Sequence, residues 1–561
     1  MEKPIIYQVF TRLFGNDCVA TFQNGDKETN GCGTMADFTN KALNEIKGLG
    51  ITHIWYTGLL EHATQTDYTK YGIIKDHPAI VKGKAGSPYA VKDYYDIDPD
   101  LAVKVPERLK EFKNLVNRTH KAGLKVIMDF VPNHVARQYH SDAKPAGVKD
   151  LGEMDNLEFS FLPNNNFYYY PGHQLTGIDM NAGEDTPYVE KPAKASGNDV
   201  FGYWVSRNDW YETVKLNYGR DYSIDHNYFT PIPDTWHKMH DILLYWTAMG
   251  VDGFRCDMAE MVPVEFWGWV IPQIKEKNPD IIFIAEIYNP VSYRNYIYHG
   301  KFDYLYDKVG LYDTLRSVAC NQTSASNLTG CWQNVTDIQD HMLNFLENHD
   351  EQRIGSNYFL GAGIKAKAAM TVTATLFRNP VMIYFGQELG ERGMDNEGFS
   401  GIDGRTTIFD YWTVDTIRRW RNKGKFDGAL LKPQEIELRE FYKKLLTICN
   451  QEPAIREGEM FDLMYVNYGG WMLNDQRHYA YLRKKGDNVV LIVANFSNSD
   501  ARIGVKIPKH AFKYLNMNHK AEAPGVDLLT GTQNVYQFLP EKICTVDVKA
   551  NNSVIIKLNL L

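Results

Sequence analysis

Eight short apolar runs alternate with helix-patterned stretches through the first 455 residues, and few folds satisfy that alternation. The runs are IIYQVF (5–10), ITHIWYTG (51–58), LKVIMDFV (124–131), VDGFRCD (251–257), IIFIAEIY (281–288), KFDYLYD (301–307), HMLNFLENHD (341–350) and PVMIYFG (380–386). Between them lie stretches with helical spacing, such as VPERLKEFKNLVNRTHKAG (105–123) and PDTWHKMHDILLYWTAMG (233–250), both of which stop on a glycine. A strand that returns through a helix pairs in parallel with the next strand. Eight such units predict an α/β fold, a closed (β/α)8 TIM barrel. An open doubly wound sheet is the alternative. No G-x-G-x-x-G follows the first strand, which weighs against a dinucleotide fold.

Two regions break the alternation. Residues 136–232 are polar, aromatic and rich in Asn, Gly and Pro, as in NNNFYYYPG (164–172). No ordinary barrel loop is that long, so a subdomain inserted after the third strand is expected. Beyond 455 come short alternating runs, RHYAYLRKK (477–485), NVVLIVANFS (488–497) and SVIIKLNL (553–560), which predict a C-terminal antiparallel β-sandwich. The expected division is a barrel over 1–135 and 233–455, an insertion over 136–232 and a sandwich over 456–561. With 561 residues, 44% of them apolar, the chain can fill more than one core.

A net charge of −8 argues against general affinity for nucleic acid or anionic membrane. No apolar run reaches transmembrane length. The N-terminal MEKPIIYQVF enters a strand at once and lacks a signal-peptide layout, so the expectation is a cytoplasmic protein or a mature form whose leader was removed. The seven cysteines are scattered without a C-x-x-C pair or a zinc pattern; Cys320 and Cys331 are the pair considered for a bridge. Nothing in the pattern sets an oligomeric state.

Four of the eight runs end in charged or imidazole groups: DFVPNH (129–134), GFRCD (253–257), IAE (284–286) and FLENHD (345–350). Taken singly, each reads blandly, as an ion pair, a loop start or a turn. In a barrel all four fall on the C-terminal rim, where active sites are built. Arg255 and Asp257 are two residues apart and share one face of their strand. The guanidinium favours an ionised Asp257, which suits a nucleophile. Glu286 follows Ile-Ala with no charged sequence neighbour. Burial would raise its pKa and suit a proton donor. Two carboxyls flanking an oxocarbenium-like transition state are what glycoside hydrolysis requires. Asp350, His134 and His349 would grip sugar hydroxyls.

These segments resemble, in order and in strand placement, the four signature segments of the α-amylase family of glycoside hydrolases. The resemblance extends over the barrel, the insertion and the sandwich. YQVFTRLF (7–14), SPYAVKDYYDIDP (87–99) and IYFGQELG (383–390) match more weakly. It implies a retaining enzyme of α-glucans with Asp257 as nucleophile, Glu286 as general acid/base and Asp350 as the third carboxylate at the −1 site. It further implies that Arg255 orients the nucleophile, that Tyr89 is the aromatic platform, and that Asp93, His134, His349 and Arg353 contact sugar or brace the site. The expected partner is an α-glucan or malto-oligosaccharide, and the chemistry needs no cofactor.

Structural calcium is the metal in question. The loop NGDKETNG (24–31) spaces the oxygen ligands Asn24, Asp26, Glu28 and Asn30 as a calcium loop does; a solvated polar loop is the other reading. Asn133 matches a side chain that often contributes to a calcium between barrel and insertion. Against that, the Lys-His pair of many relatives is Glu260-Met261 here. In the insertion, Trp204, Trp210, Tyr211 and Tyr218 are candidate sugar platforms, and Asn217 lies where relatives place a calcium-linked or specificity motif. Tyr479 and Tyr481 share a strand face, as a glucan-binding pair or as core. Open at this point are linkage preference, endo or exo action, hydrolysis or transglycosylation, and a barrel that only binds carbohydrate. Relatives of the last kind lose their carboxylates, and this chain keeps all three.

Overall fold

The computed structural model describes residues 3–561. Eight parallel strands close into a barrel: β1 (Ile5–Phe10), β2 (His53–Thr57), β3 (Lys125–Phe130), β4 (Gly253–Cys256), β5 (Ile282–Ala285), β6 (Tyr304–Tyr306), β7 (Met342–Phe345) and β8 (Val381–Tyr384). Each strand pairs with its neighbours in the chain, and β8 closes on β1. Side-chain alternation sorts the residues. Ile6, Trp55, Ile127, Ile284, Leu343 and Met382 fill the barrel interior, while Val126, Met128, Phe254 and Phe283 pack outward beneath the helices.

The helices bury one stripe each. Arg108–Lys121 buries Phe112, Leu115, Val116 and Thr119, and Asp234–Ala248 buries Trp236, Met239, Leu243 and Trp246. The glycines that follow them, Gly123 and Gly250, adopt φ of +75° and +91°, the left-handed turn that ends a helix and that glycine makes without strain.

Residues 136–232 carry little regular structure. Three short ladders order them: His134–Ala136 with Thr213–Lys215, Tyr169–Tyr170 with Ala193–Lys194, and Arg220–Asp221 with His226–Asn227. The buried Arg137 is their hub, donating to Glu190 at 2.8 Å, Ser196 at 2.6 Å and the Tyr211 carbonyl at 2.5 Å. A ladder of Leu60–His62 with Val91–Ile97 and helices at Tyr293–Tyr298, Asp313–Ala319 and Asn327–Asn334 were not anticipated from the sequence.

After 456 a six-stranded antiparallel sheet forms, in the spatial order Glu459–Asp462, His478–Lys485, Asn488–Asn495, Asn552–Leu558, Lys520–Asp527 and Gln533–Phe538. A two-stranded ladder, Ala501–Lys506 with Ile543–Val548, completes the second layer. Its apolar residues join the barrel's outer core, and buried Arg483 donates to the Thr375 carbonyl of a barrel helix at 2.6 Å. Tyr479 and Tyr481 are core: both are fully buried, with hydroxyls bonded to Asp462 and Thr375. All seven cysteines are free. Cys320 and Cys331 do not bridge, because their sulfurs turn to different neighbours, the Phe359 carbonyl and the Thr314 hydroxyl. Among the described residues, no helix is long and apolar enough to cross a membrane.

Candidate active site

The strand ladder runs one residue beyond β4 and β5. Asp257 N donates to the Phe130 carbonyl at 2.9 Å, and Glu286 N to the Cys256 carbonyl at 3.1 Å. Both carboxyls are thereby fixed at the rim. Asp129 and Arg255 are register partners on β3 and β4 and point into the barrel. The chain then turns sharply at Met258, whose φ of +42° is unusual for a residue with a side chain. That turn aims Met258 N at Glu286 Oε2, 2.8 Å away.

Arg255, fully buried, is the centre of the cluster. Its Nη1 donates to Asp257 Oδ1 at 2.7 Å and reaches Asp129 Oδ1 at 3.4 Å. Its Nη2 lies 2.7 Å from Glu286 Oε2, as an ion contact rather than an aligned hydrogen bond. Its Nε donates to the Tyr306 hydroxyl at 3.2 Å. The sequence suggested an Arg255–Asp257 pair and an isolated Glu286; the fold instead divides one guanidinium among three carboxyls. The Trp55 indole N–H, 3.0 Å from Asp129 Oδ2, satisfies the deepest of them.

Asp350 and His349 complete the rim. Gln8 Nε2 lies 2.8 Å from His349 Nδ1, while His349 Nε2 lies 2.7 Å from the Tyr89 hydroxyl and 3.1 Å from Asp350 Oδ2. With the Gln8 amide donating to Nδ1, the ring proton sits on Nε2 and donates toward Asp350 and Tyr89. The Tyr89 and His349 rings stack at 5.1 Å. Tyr89, His134, Asp257, Glu286, His349 and Asp350 all line one pocket of about 360 Å³.

Burial dominates the proton affinities here. It pushes Asp257 up, with Arg255 pulling back. It raises Glu286, opposed by Arg255 and reinforced by the Asp257 charge. Asp350 is raised furthest, by burial and then by Glu286. Burial, with Lys215 and Lys82 nearby, pulls His134 down to about 3, and burial with Arg255 pulls His349 well below its usual range. Both imidazoles are therefore neutral hydrogen-bonding groups at neutral pH. Coupled carboxyls with one guanidinium between them can hold one proton and one charge, which is the state a nucleophile and a proton donor need.

Asp93 and Arg353 lie outside the pocket lining. Asp93 is buried and accepts from the backbone N–H groups of Tyr95, Asp142 and Ala143, so it ties loops together instead of facing substrate. Arg353 is fully buried and donates to Glu347 and the Phe385 carbonyl, both at 2.9 Å, which makes it a brace beneath Asp350. Of the insertion's aromatics, Trp210 lines the pocket. Tyr211 and Tyr218 are buried, and Trp204 is 60% exposed away from the pocket lining. Asn217 caps turns by donating to Leu162 and Asn165 carbonyls. Sequence reasoning missed Tyr288, whose hydroxyl donates to Glu286 Oε1 at 2.6 Å; its i+2 spacing from Glu286 was the available signal.

The residues weighed for calcium do not form an oxygen cage open to a cation. Asn133 Oδ1 accepts from Lys215 Nζ at 2.5 Å; the same ammonium meets Asp199 Oδ1 at 2.7 Å and the Met261 carbonyl at 3.2 Å. A side-chain cation from the insertion thus stands where these three oxygens converge. In the first loop, Asp26 caps the helix Lys27–Asn30 through Thr29 N. Asn30 exchanges hydrogen bonds with the Phe22 backbone, Asn24 contributes its N–H to Glu397, and Glu28 points to solvent.

The profile of the alpha-amylase family, described as alpha amylase catalytic domain, matches residues 18–420. "Alpha-amylase 3" of Dictyoglomus thermophilum is 24% identical over 525 residues, 88% of this chain and 85% of that protein. An alpha-amylase of Streptomyces lividans is 26% identical over 439 residues, covering 72% of this chain but 45% of the longer relative. Among solved structures, the alpha-amylase of Geobacillus thermoleovorans complexed with acarbose superposes with a TM-score of 0.63 at 19% identity, over 99% of this chain and 98% of that one. That likeness speaks to the fold. The family match spans most of the barrel and insertion: this chain belongs to the α-amylase family and is a glycoside hydrolase.

Proposed function

We propose that this chain hydrolyses α-glucosidic bonds, chiefly α-1,4, in starch, maltodextrins or related α-glucans by a double displacement. The observation that carries the reading is Arg255 bound at once to Asp257 and Glu286 on the pocket floor. Carboxyls on neighbouring nitrogens of one guanidinium are brought near the ~5 Å separation of a retaining pair. Asp257 attacks the anomeric carbon and forms a β-glycosyl ester as Glu286 protonates the departing oxygen. Glu286 then removes a proton from water, which displaces Asp257 and restores the α configuration. Asp350 and the neutral His134 and His349 hold ring hydroxyls, and Tyr89 backs the ring. Residues 136–232 act as a subdomain that walls the cleft.

A time course on starch, pullulan, cyclodextrin and maltotriose, with Glu286→Gln as the blank, tests the activity. Proton NMR of the first product should show the α-anomer; an initial β-anomer would overturn the double displacement. The chemistry uses no cofactor, and Lys215 serves as the cation at the barrel–insertion junction. Dialysis against EDTA should leave rate and melting temperature unchanged. A fall reversed by calcium would count against that part of the reading.

A further inference from the structure

The far wall of the pocket is made of three segments remote in sequence: Lys82 after β2, Glu212 from the insertion and Phe409 after β8. Lys82 Nζ lies 3.1 Å from Glu212 Oε1, 5.5 Å from the Tyr211 ring centre and 5.8 Å from that of Phe409. The wall is rigidly built. Buried Arg12 donates to the carbonyls of Ala85 at 3.1 Å, Gly86 at 3.0 Å and Ile408 at 2.5 Å, clamping two of the segments together. Ala85 N donates to the Phe409 carbonyl at 3.0 Å. Gly83 comes so near that carbonyl that a Cβ would sit 2.2 Å from it. On the third segment, Arg137 N donates to the Glu212 carbonyl at 3.1 Å.

The proton donor fixes the direction of the cleft, because it must face the leaving-group oxygen. The groups that hold Glu286 are Arg255, Met258 and Tyr288, and none belongs to this wall. The wall connects instead to His134, through a Trp210 ring 5.1 Å from the imidazole. Glu212 is 4% exposed in its side chain, and its Oε2 is buried without a donor. A buried acceptor left unpaired costs free energy until something supplies a proton to it. Lys82, with three N–H groups and one carboxylate partner, offers donors at the same place. A sugar hydroxyl both donates and accepts, so a chain that ends here satisfies both groups, whereas a chain that continues must break the pair.

We infer that the Lys82–Glu212 pair closes the glycone end and recognises the hydroxyls of a non-reducing terminus, so that the enzyme acts on short α-glucans from that end. The inference rests on the α-glucan reading given above. The volume of about 360 Å³ is near the small end for ligand pockets and suits a chain terminus.

The test compares p-nitrophenyl malto-oligosaccharides whose non-reducing end is free or 4,6-blocked, with cyclodextrin, which has no end. Free-ended substrate should exceed blocked substrate in kcat/KM by on the order of 10²-fold or more, and cyclodextrin should be opened slowly. In the Lys82→Ala/Glu212→Ala double variant that ratio should fall toward unity, with KM for the free-ended substrate raised. Wild-type enzyme that cleaves free and blocked chains equally, or opens cyclodextrin as fast as linear chains, overturns the inference and leaves the α-glucan reading standing. This comparison needs no variant to fold. Wild type no better than Glu286→Gln on every α-glucan would remove the reading and the inference together.

Discussion

Two buried arginines in this molecule each gather three carboxylates, and one of the two clusters lines the active-site pocket. Arg255 meets Asp257, Asp129 and Glu286. Arg108 meets Asp96, Asp142 and Glu61, the last at 4.0 Å. Burial raises Asp257, Glu286, Glu61 and Asp96 alike. The oxygens of Glu61, Asp96 and Asp142 fall within 4.8 Å of one another, and Arg108 stands among them much as Lys215 stands at the insertion junction. The clusters differ in access. Asp257 and Glu286, though only 8% and 3% exposed, line the pocket together with Asp350. Glu61 and Asp96 are 1% exposed, and Asp142, at 25%, meets solvent outside that pocket. Perturbed carboxyls beside an arginine mark a staple as readily as a site; what separates them is whether a ligand can reach the charge.

Breaking each cluster in turn should separate the two roles. Asp257→Asn should lower kcat by on the order of 10⁴-fold or more while the thermal melt holds, since it removes a reacting group and keeps its shape. Near-normal turnover would remove the pocket cluster from the chemistry. Arg108→Met should do the reverse. Three carboxylates left without their cation should cost about 3–5 kcal/mol in a denaturant titration, with kcat changed far less than in the Asp257 variant. A loss of rate matching that of Asp257→Asn, in protein of normal stability, would make the Arg108 cluster part of the site.

The barrel and its rim were legible in the sequence because strand period and run ends are local signals. Arg255 and Asp257, two apart on one strand, could be paired by counting. The Arg255–Glu286 contact could not, since it depends on the alignment of β4 with β5. How deep Asp93 and Arg353 would lie was hidden for a different reason. A motif fixes where a residue falls on the chain, but burial is set by what packs over it, here Asp142–Ala143 for one and Thr406 with Phe385 for the other. The loop 24–31 stayed open between two readings because Asn and Asp serve equally as turn formers and metal ligands. Lys82 and Glu212 carried no signal at all: 130 residues separate them, and the insertion that delivers Glu212 folds around Arg137 without a periodic pattern.

Glu61 sharpens the comparison on the stability side. Its two oxygens accept no hydrogen bond, and burial with the charges of Asp93 and Asp142 holds its pKa well above the usual range. A carboxyl raised in the folded state binds its proton more tightly there than in the unfolded chain. Wild-type stability should therefore fall as pH rises from the unfolded value of about 4.3 through the folded one. Glu61→Gln lacks that loss. The variant should match wild type near pH 4 and become more stable by on the order of 1 kcal/mol toward pH 8, read from denaturant midpoints. A variant less stable at all pH values would mean that the Glu61 charge is needed beside Arg108.

Asp129 offers the smallest and most specific change, because it touches the pocket cluster without facing substrate. Burial pushes it up to about 7, against the pull of Arg255 and the Trp55 N–H. It thus ionises just where Glu286 must still keep its proton for catalysis. Once charged, it draws on the guanidinium that otherwise stabilises the Glu286 carboxylate, so Glu286 holds its proton to higher pH. Asp129→Asn removes that competition and frees Arg255 for Glu286. The alkaline limb of kcat/KM should move down by about half a unit, while the plateau rate changes little. An alkaline limb that stays in place or moves up would mean that Arg255 is not shared, and that the pocket cluster behaves as separate pairs instead of one coupled group.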